Sequence, residues 1–336
     1  MSPWIFALLL PLALAATFCA LLLRSPWTRW LSDLPNERSL HSRPTPRVGG
    51  IAIMLAALPL ALVLTGPALH WLWALALGLS LISFADDMKS LPIAVRLAAH
   101  FAASAVAVVV LASGASGISF PVLAISTLAL AWMTNLYNFM DGSDGLAGGM
   151  AVIGFGTLAI AAGQAGSAQL ALACASLASA ALGFLVFNFP PARAFMGDAG
   201  SIPLGFLAGA LGGYGLAANV WPAWFPLLVF SPFVFDASVT IARRILRRER
   251  FWIAHRSHYY QRLVLSGWSQ RRLATSAYLV MLAAGASALV ARSAEGANQY
   301  AILVVWVLLY LAAMVAVERK RPTRAPRHEG AHPGQG

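Results

Sequence analysis

The sequence predicts an all-α integral membrane protein, a polytopic bundle of about ten or eleven transmembrane helices with its chemistry-bearing loops on the cytoplasmic face. Three observations carry that prediction. Of the 336 residues, 59% are hydrophobic and 10% charged, whereas a soluble domain has about 25% charged residues. The apolar residues also come in long uncharged runs, which a lipid solvent requires and water would penalise. The basic residues between those runs fall on alternate connections. Collagen-like, coiled-coil and disordered chains are excluded by the same composition. Cys19 and Cys174 both lie inside apolar runs and read as small hydrophobes, so neither a disulfide framework nor a cysteine zinc site is available.

A spanning helix needs roughly 20 apolar residues. In chain order the candidates are 4–23, 50–66, 68–84, 96–112, 119–134, 149–165, 168–187, 201–217, 221–236, 273–291 and 299–317. No basic residue precedes the first, and Arg24 follows it. A cleaved signal peptide has the opposite arrangement, so a retained anchor with an outside N-terminus is expected. The inside segments are then 24–49, 85–95, 135–148, 188–200, 237–272 and 318–336. With their flanks these hold 22 of the 23 Lys and Arg residues, leaving Arg292 outside. The expectation is a bacterial inner-membrane protein with a cytoplasmic C-terminus. Residues 1–317 form one transmembrane domain with large inner loops at 24–49 and 237–272, and 318–336 form a basic disordered tail. The net charge of +11 needs anionic lipid headgroups and no nucleic acid.

The acids sort the same way. Six of the seven aspartates, namely Asp86, Asp87, Asp141, Asp144, Asp198 and Asp236, crowd the inner ends of spans. A transporter, the alternative of another class, would hold ionisable groups at mid-span instead. The third span ends on Asp86-Asp87, two carboxylates that repel unless a cation or proton relieves them. After the fifth span, oxygens recur every third residue at Asn135, Asn138, Asp141 and Asp144, with Gly142 and Gly145 between. These glycines permit close approach of a phosphate to the backbone, although turn and cap chemistry uses the same residue types. Asp198 opens the eighth span between glycines, as an N-cap or as a site where a metal bridges carboxylate and phosphate. Carboxylates without a compact His/Cys set point to Mg²⁺, with Mn²⁺ as a substitute, rather than zinc. The longest inner loop contains Arg243, Arg244, Arg247 and Arg248 at helical spacing, which reads as membrane-surface anchoring. It continues with His255-Arg256-Ser257-His258-Tyr259-Tyr260-Gln261-Arg262, where interleaved histidines and arginines suit a diphosphate clamp. The first inner loop, with Arg43 and the run Pro44-Thr45-Pro46-Arg47-Val48-Gly49-Gly50, reads as an ordered basic turn.

Taken together, Pro44 to Gly50, Asp86-Asp87, the Asn135-x-x-Asn138-x-x-Asp141-Gly142-x-Asp144-Gly145-Leu146 run, and Phe195-Met196-Gly197-Asp198-Ala199-Gly200-Ser201 resemble the motifs of the polyprenyl-phosphate N-acetylhexosamine-1-phosphate transferases. This is the family of MraY and WecA, glycosyltransferase family 4. The resemblance spans roughly residues 33–270 in matching order. It implies transfer of a sugar-1-phosphate from a UDP-N-acetylhexosamine to polyprenyl (undecaprenyl) phosphate, with release of UMP and a magnesium requirement. By motif position Asn138 and Asp198 would be metal ligands. Asp86, Asp87 and Asp198 would be the catalytic set, with Asp86 the activating base. Asn135, Asp141, Asp144, Arg43, His255, Arg256, His258 and Arg262 would bind substrate. The peptidoglycan members carry three consecutive histidines and WecA-type members His-x-His-His in the last large loop. The form here is closer to O-antigen-initiating members resembling WbpL, with the phospho-N-acetylmuramoyl-pentapeptide transferase of peptidoglycan synthesis as the alternative. A homodimer is an open expectation.

Overall fold

The computed structural model describes residues 3–35, 40–41, 43–114, 117–250, 255–293 and 297–319. Glu37, Arg38, Glu295 and the tail from 320 onward lie outside them. The described chain is helical almost throughout. Its helices are α1 (Pro3–Arg24), α2 (Gly49–Leu64), α3 (His70–Lys89), α4 (Ile93–Ala112), α5 (Phe120–Phe139), α6 (Leu146–Gln164), α7 (Ala168–Asn188), α8 (Asp198–Ala217), α9 (Trp224–Val229), α10 (Ser231–Leu246), α11 (Tyr259–Leu265), α12 (Gln270–Ser293) and α13 (Ala297–Arg319). A two-stranded ribbon, β1 (Ser32–Asp33) against β2 (Thr45–Pro46), ties the first loop to itself.

Nine helices among the described residues are long and apolar enough to cross a membrane. This corrects the count of eleven at two places. The second candidate span forms α2, only 16 residues long. The ninth, 221–236, is not one helix. It breaks at Phe230, just before Pro232, whose ring cannot donate to the preceding turn. Past the break α10 continues to Leu246, so the segment expected to be inner loop from 237 begins as helix.

The all-round apolar α7 and α8 form the buried centre, with 78% of each spanning window inside the protein. α7 packs on α1, α2 and α6, and α8 on α3 and α5. α2 crosses α8 backbone to backbone: a Cβ added at Gly50 would fall 2.3 Å from the Gly200 Cα. Gly49 and Gly50 donate their N–H groups to the Phe195 and Met196 carbonyls at 2.9 and 2.8 Å. The Pro44–Gly50 loop is thereby fixed against the Phe195–Ser201 loop at one end of the bundle. The C-terminal ends of α3 and α5 and the N-terminal ends of α6 and α8 meet at that end.

Candidate active site

A cavity of about 280 Å³ opens where these helix ends meet, with Asn138, Asp141, Asp144, Asp198 and Arg47 on its wall. Asn138 sits in the last turn of α5. Its amide N–H group donates to Asp198 Oδ1 at 2.8 Å and to Ser201 Oγ at 3.0 Å. The carbonyl oxygen of the same side chain has no protein partner among the described residues. Gly197, at φ 74°, takes the N-cap position of α8, a left-handed conformation that glycine adopts without steric cost. Asp198 is therefore the first helical residue and does not cap its own helix. Asp87 of α3 caps α8 instead, accepting the Ala199 N–H at 3.1 Å. The Asp198 carboxylate is left for Asn138 and for Arg96, 3.7 Å away.

The adjacent carboxylates Asp86 and Asp87 are separated electrostatically by two different arginines. Arg96 of α4 lies 2.6 Å from Asp86 Oδ2, and the Leu91 N–H donates to Oδ1 at 2.6 Å. Arg47 lies 3.5 Å from Asp87 and also pairs with Asp33. Desolvation pulls the Arg47 guanidinium down, but Asp33 and Asp87 more than offset it and leave it raised. Both oxygens of Asp86 are thus engaged behind the cavity wall.

The Asn135–Asp144 ladder divides. Asn138, Asp141 and Asp144 face the cavity. Asn135, a turn earlier, turns to α4, where its Oδ1 lies 3.1 Å from His100 Nδ1. Asp144 accepts the Ala192 N–H at 2.9 Å and ties in the loop after α7. Burial, then repulsion from Asp198 and Asp87, holds the Asp141 carboxyl well above the usual carboxylate range. A divalent cation nearby would reverse that shift. No group of three or more His, Cys, Asp or Glu able to hold a metal occurs among the described residues. The wall therefore offers a few oxygens only, which fits a cation that keeps water and phosphate in its shell, as magnesium does.

The basic loop is built on Asp236. Its carboxylate accepts the Tyr259 and Tyr260 N–H groups, both at 2.9 Å, and lies 3.3 Å from His258 Nδ1. That fixes the start of α11 and presses the buried His258 ring beside Phe139. Gln261 reaches the cavity wall. The structure does not bring His255, Arg256, His258 or Arg262 to it. Arg256 and Arg43 are exposed, and Arg262 stacks over Tyr259. Burial, then His258 and Arg244, lowers the His255 pKa to about 4, so this imidazole is neutral near pH 7. The unfolded chain takes up that proton near the ordinary pKa of about 6.5, so the native state loses stability as pH falls from there towards about 4. The thermal midpoint in detergent should drop across that window, and His255→Gln should flatten the drop. An unchanged acid limb in the variant would place the effect elsewhere.

Sequence reasoning missed Arg96, Arg47, His100 and Gln261. Arg96 and His100 did carry a signal: they stand four residues apart on one face of an apolar span, where ionisable groups mark function by default.

Comparison with known proteins agrees with this architecture. Residues 69–214 match the family described as glycosyl transferase family 4. A decaprenyl-phosphate N-acetylglucosaminephosphotransferase of Mycobacterium tuberculosis is 31% identical over 294 residues, 73% of this chain and 72% of that protein. The probable undecaprenyl-phosphate N-acetylglucosaminyl 1-phosphate transferase of Bacillus subtilis strain 168 is 28% identical over 302 residues, 84% of this chain and 83% of that protein. A phospho-N-acetylmuramoyl-pentapeptide-transferase of Granulibacter bethesdensis is 32% identical over 230 residues, 56% of this chain and 63% of that protein. The protein is a polytopic membrane protein with an acidic cavity at one end of its bundle. It belongs to glycosyl transferase family 4.

Proposed function

We propose that the protein transfers N-acetylhexosamine-1-phosphate from a UDP-N-acetylhexosamine to a polyprenyl phosphate such as undecaprenyl phosphate, releasing UMP. The observation that carries this reading is the single cavity wall uniting Asn138, Asp141, Asp144 and Asp198. It is supported by relatives of both N-acetylglucosamine-1-phosphate types over most of their length.

An oxygen of the lipid phosphate attacks the β-phosphorus of the UDP-sugar. The bond from that phosphorus to the bridging oxygen breaks, and the oxygen leaves with UMP. Both reactants are anionic, so positioning and charge neutralisation dominate the barrier. Asn138 and Asp198 would hold magnesium, which when bound screens the phosphates and polarises the reacting one. Arg47 and Arg96 pair with the carboxylates of α3 and hold them in place. Asp87, coupled to the first turn of α8, and Asp86, tied to Arg96, set the charge behind the lipid phosphate. Gln261 supplies a neutral donor and acceptor on the wall.

The site faces the cytoplasm of a bacterial inner membrane in this reading, and the charge asymmetry of the loops supports that orientation. The form of the His255–Arg262 loop favours initiation of O-antigen or another envelope polysaccharide over peptidoglycan synthesis. Purified protein with undecaprenyl phosphate and a panel of UDP-sugars tests the assignment. UMP should appear with an N-acetylhexosamine donor only when the lipid and a divalent cation are present. Turnover with the muramoyl-pentapeptide donor alone would move the protein to peptidoglycan synthesis, and UMP release without lipid would make it a hydrolase.

A further inference from the structure

A second polar cavity, of about 250 Å³, lies against the C-terminal turns of α10 and shares no lining residue with the candidate active site. α11 separates the two: Gln261 lines the first and its neighbour Arg262 the second. Arg243, Arg244, Arg247 and Arg262 line it together with Thr240 and Ser257. Two of these charges are balanced. Arg243 pairs with Glu318, and Arg244 lies 3.0 Å from Glu249, the one acid on the wall. Arg247 and Arg262 have no carboxylate partner among the described residues. The neighbouring Phe251–Ala254, outside those residues, contain no acid.

A further observation points to a missing ligand. The Nε–H of Arg244 is buried with no acceptor among the described residues, and a buried charged donor without a partner is a condition native structures avoid. The cavity wall therefore carries two guanidinium groups without a carboxylate partner, and Arg244, which also lines it, keeps one unsatisfied donor, which suits an anion rich in acceptor oxygens. Guanidinium groups recognise phosphate in this way. The same helix end exposes Ile245 and Leu246, 52% and 82% accessible. Apolar side chains beside arginines at the end of an amphipathic helix are the pattern of a bilayer interface. An anion arriving there carries acyl chains with it.

We propose that this cavity binds the phosphate of an anionic phospholipid headgroup, seating the α10–α11 corner on the membrane surface. The inference is independent of the function assigned to the first cavity. Native mass spectrometry of the full chain in detergent, titrated with dioleoyl phosphatidylglycerol or dioleoyl phosphatidylcholine, tests it. The anionic lipid should bind about tenfold or more tightly than the zwitterionic one. Arg244→Gln with Arg247→Gln should remove most of that preference. Arg24→Gln with Arg29→Gln, an equal change of charge elsewhere, should retain it. Glu249→Gln, which removes the like charge from the wall, should tighten binding and answers the case in which the double variant folds poorly. Equal losses in both double variants would reduce the effect to net charge and overturn the site. Competition by inorganic phosphate at equal concentration would make the ligand a free phosphate and overturn the lipid assignment.

Discussion

Asp198→Asn is expected to lower turnover by about a thousandfold, roughly 4 kcal/mol of transition-state stabilisation, while the protein still folds. The substitution keeps the shape of the side chain and its hydrogen bond to Asn138, 2.8 Å long in the native protein. It removes the formal charge that a cation at this wall would require. The side chain is 32% exposed and does not cap α8, since Asp87 performs that task through Ala199. Stability should therefore change little, and the loss should lie in kcat more than in the KM for the UDP-sugar. Steady-state kinetics beside a thermal melt in detergent separates these contributions. Near-normal kcat in the variant would remove Asp198 from the reaction.

Gly50→Ala is expected to destabilise the protein by about 3 kcal/mol and to abolish activity with it, at the upper end of overpacking effects. The added Cβ would fall 2.3 Å from both the N and the Cα of Gly200. Neither is the end of a flexible side chain, so α2 and α8 must separate. That displaces Phe195–Ser201, and with it the turn that sets Asp198. Gly78→Ala is the matched control, because nothing lies within 4 Å of a Cβ there. Similar melting temperatures for the two variants would contradict the close helix crossing.

Much of this was legible in the sequence because lipid imposes a simple pattern. Apolar runs of span length gave single helices at ten of the eleven predicted places, and the oxygens at 138, 141, 144 and 198 converge on one cavity. The errors have physical causes. A hydropathy window averages over Pro232, so it read 221–236 as continuous where the chain breaks at Phe230. Of the two sequence readings of Asp198, the N-cap role goes to Asp87, which reaches the Ala199 N–H from α3 across the bundle. Neighbours on a helix diverge by about 100°. Gln261 and Arg262 thus enter different cavities, and of the histidines and arginines that read as one clamp none lines the first cavity. Arg96 was hidden by its span, counted only as a flanking charge, although its pairing with Asp86 at 2.6 Å organises the acidic end of α3.

In the proposed reaction the sugar moves together with its phosphate, the bond breaking between the two phosphorus atoms of the donor. Turnover of UDP-N-acetylglucosamine labelled with ³²P at the β-position, in the presence of undecaprenyl phosphate, tests this directly. The label should pass into the organic-extractable lipid, and the UMP released should be unlabelled. Label remaining with the nucleotide, as UDP, would show that the sugar alone was transferred, and the phosphotransfer assignment would fall.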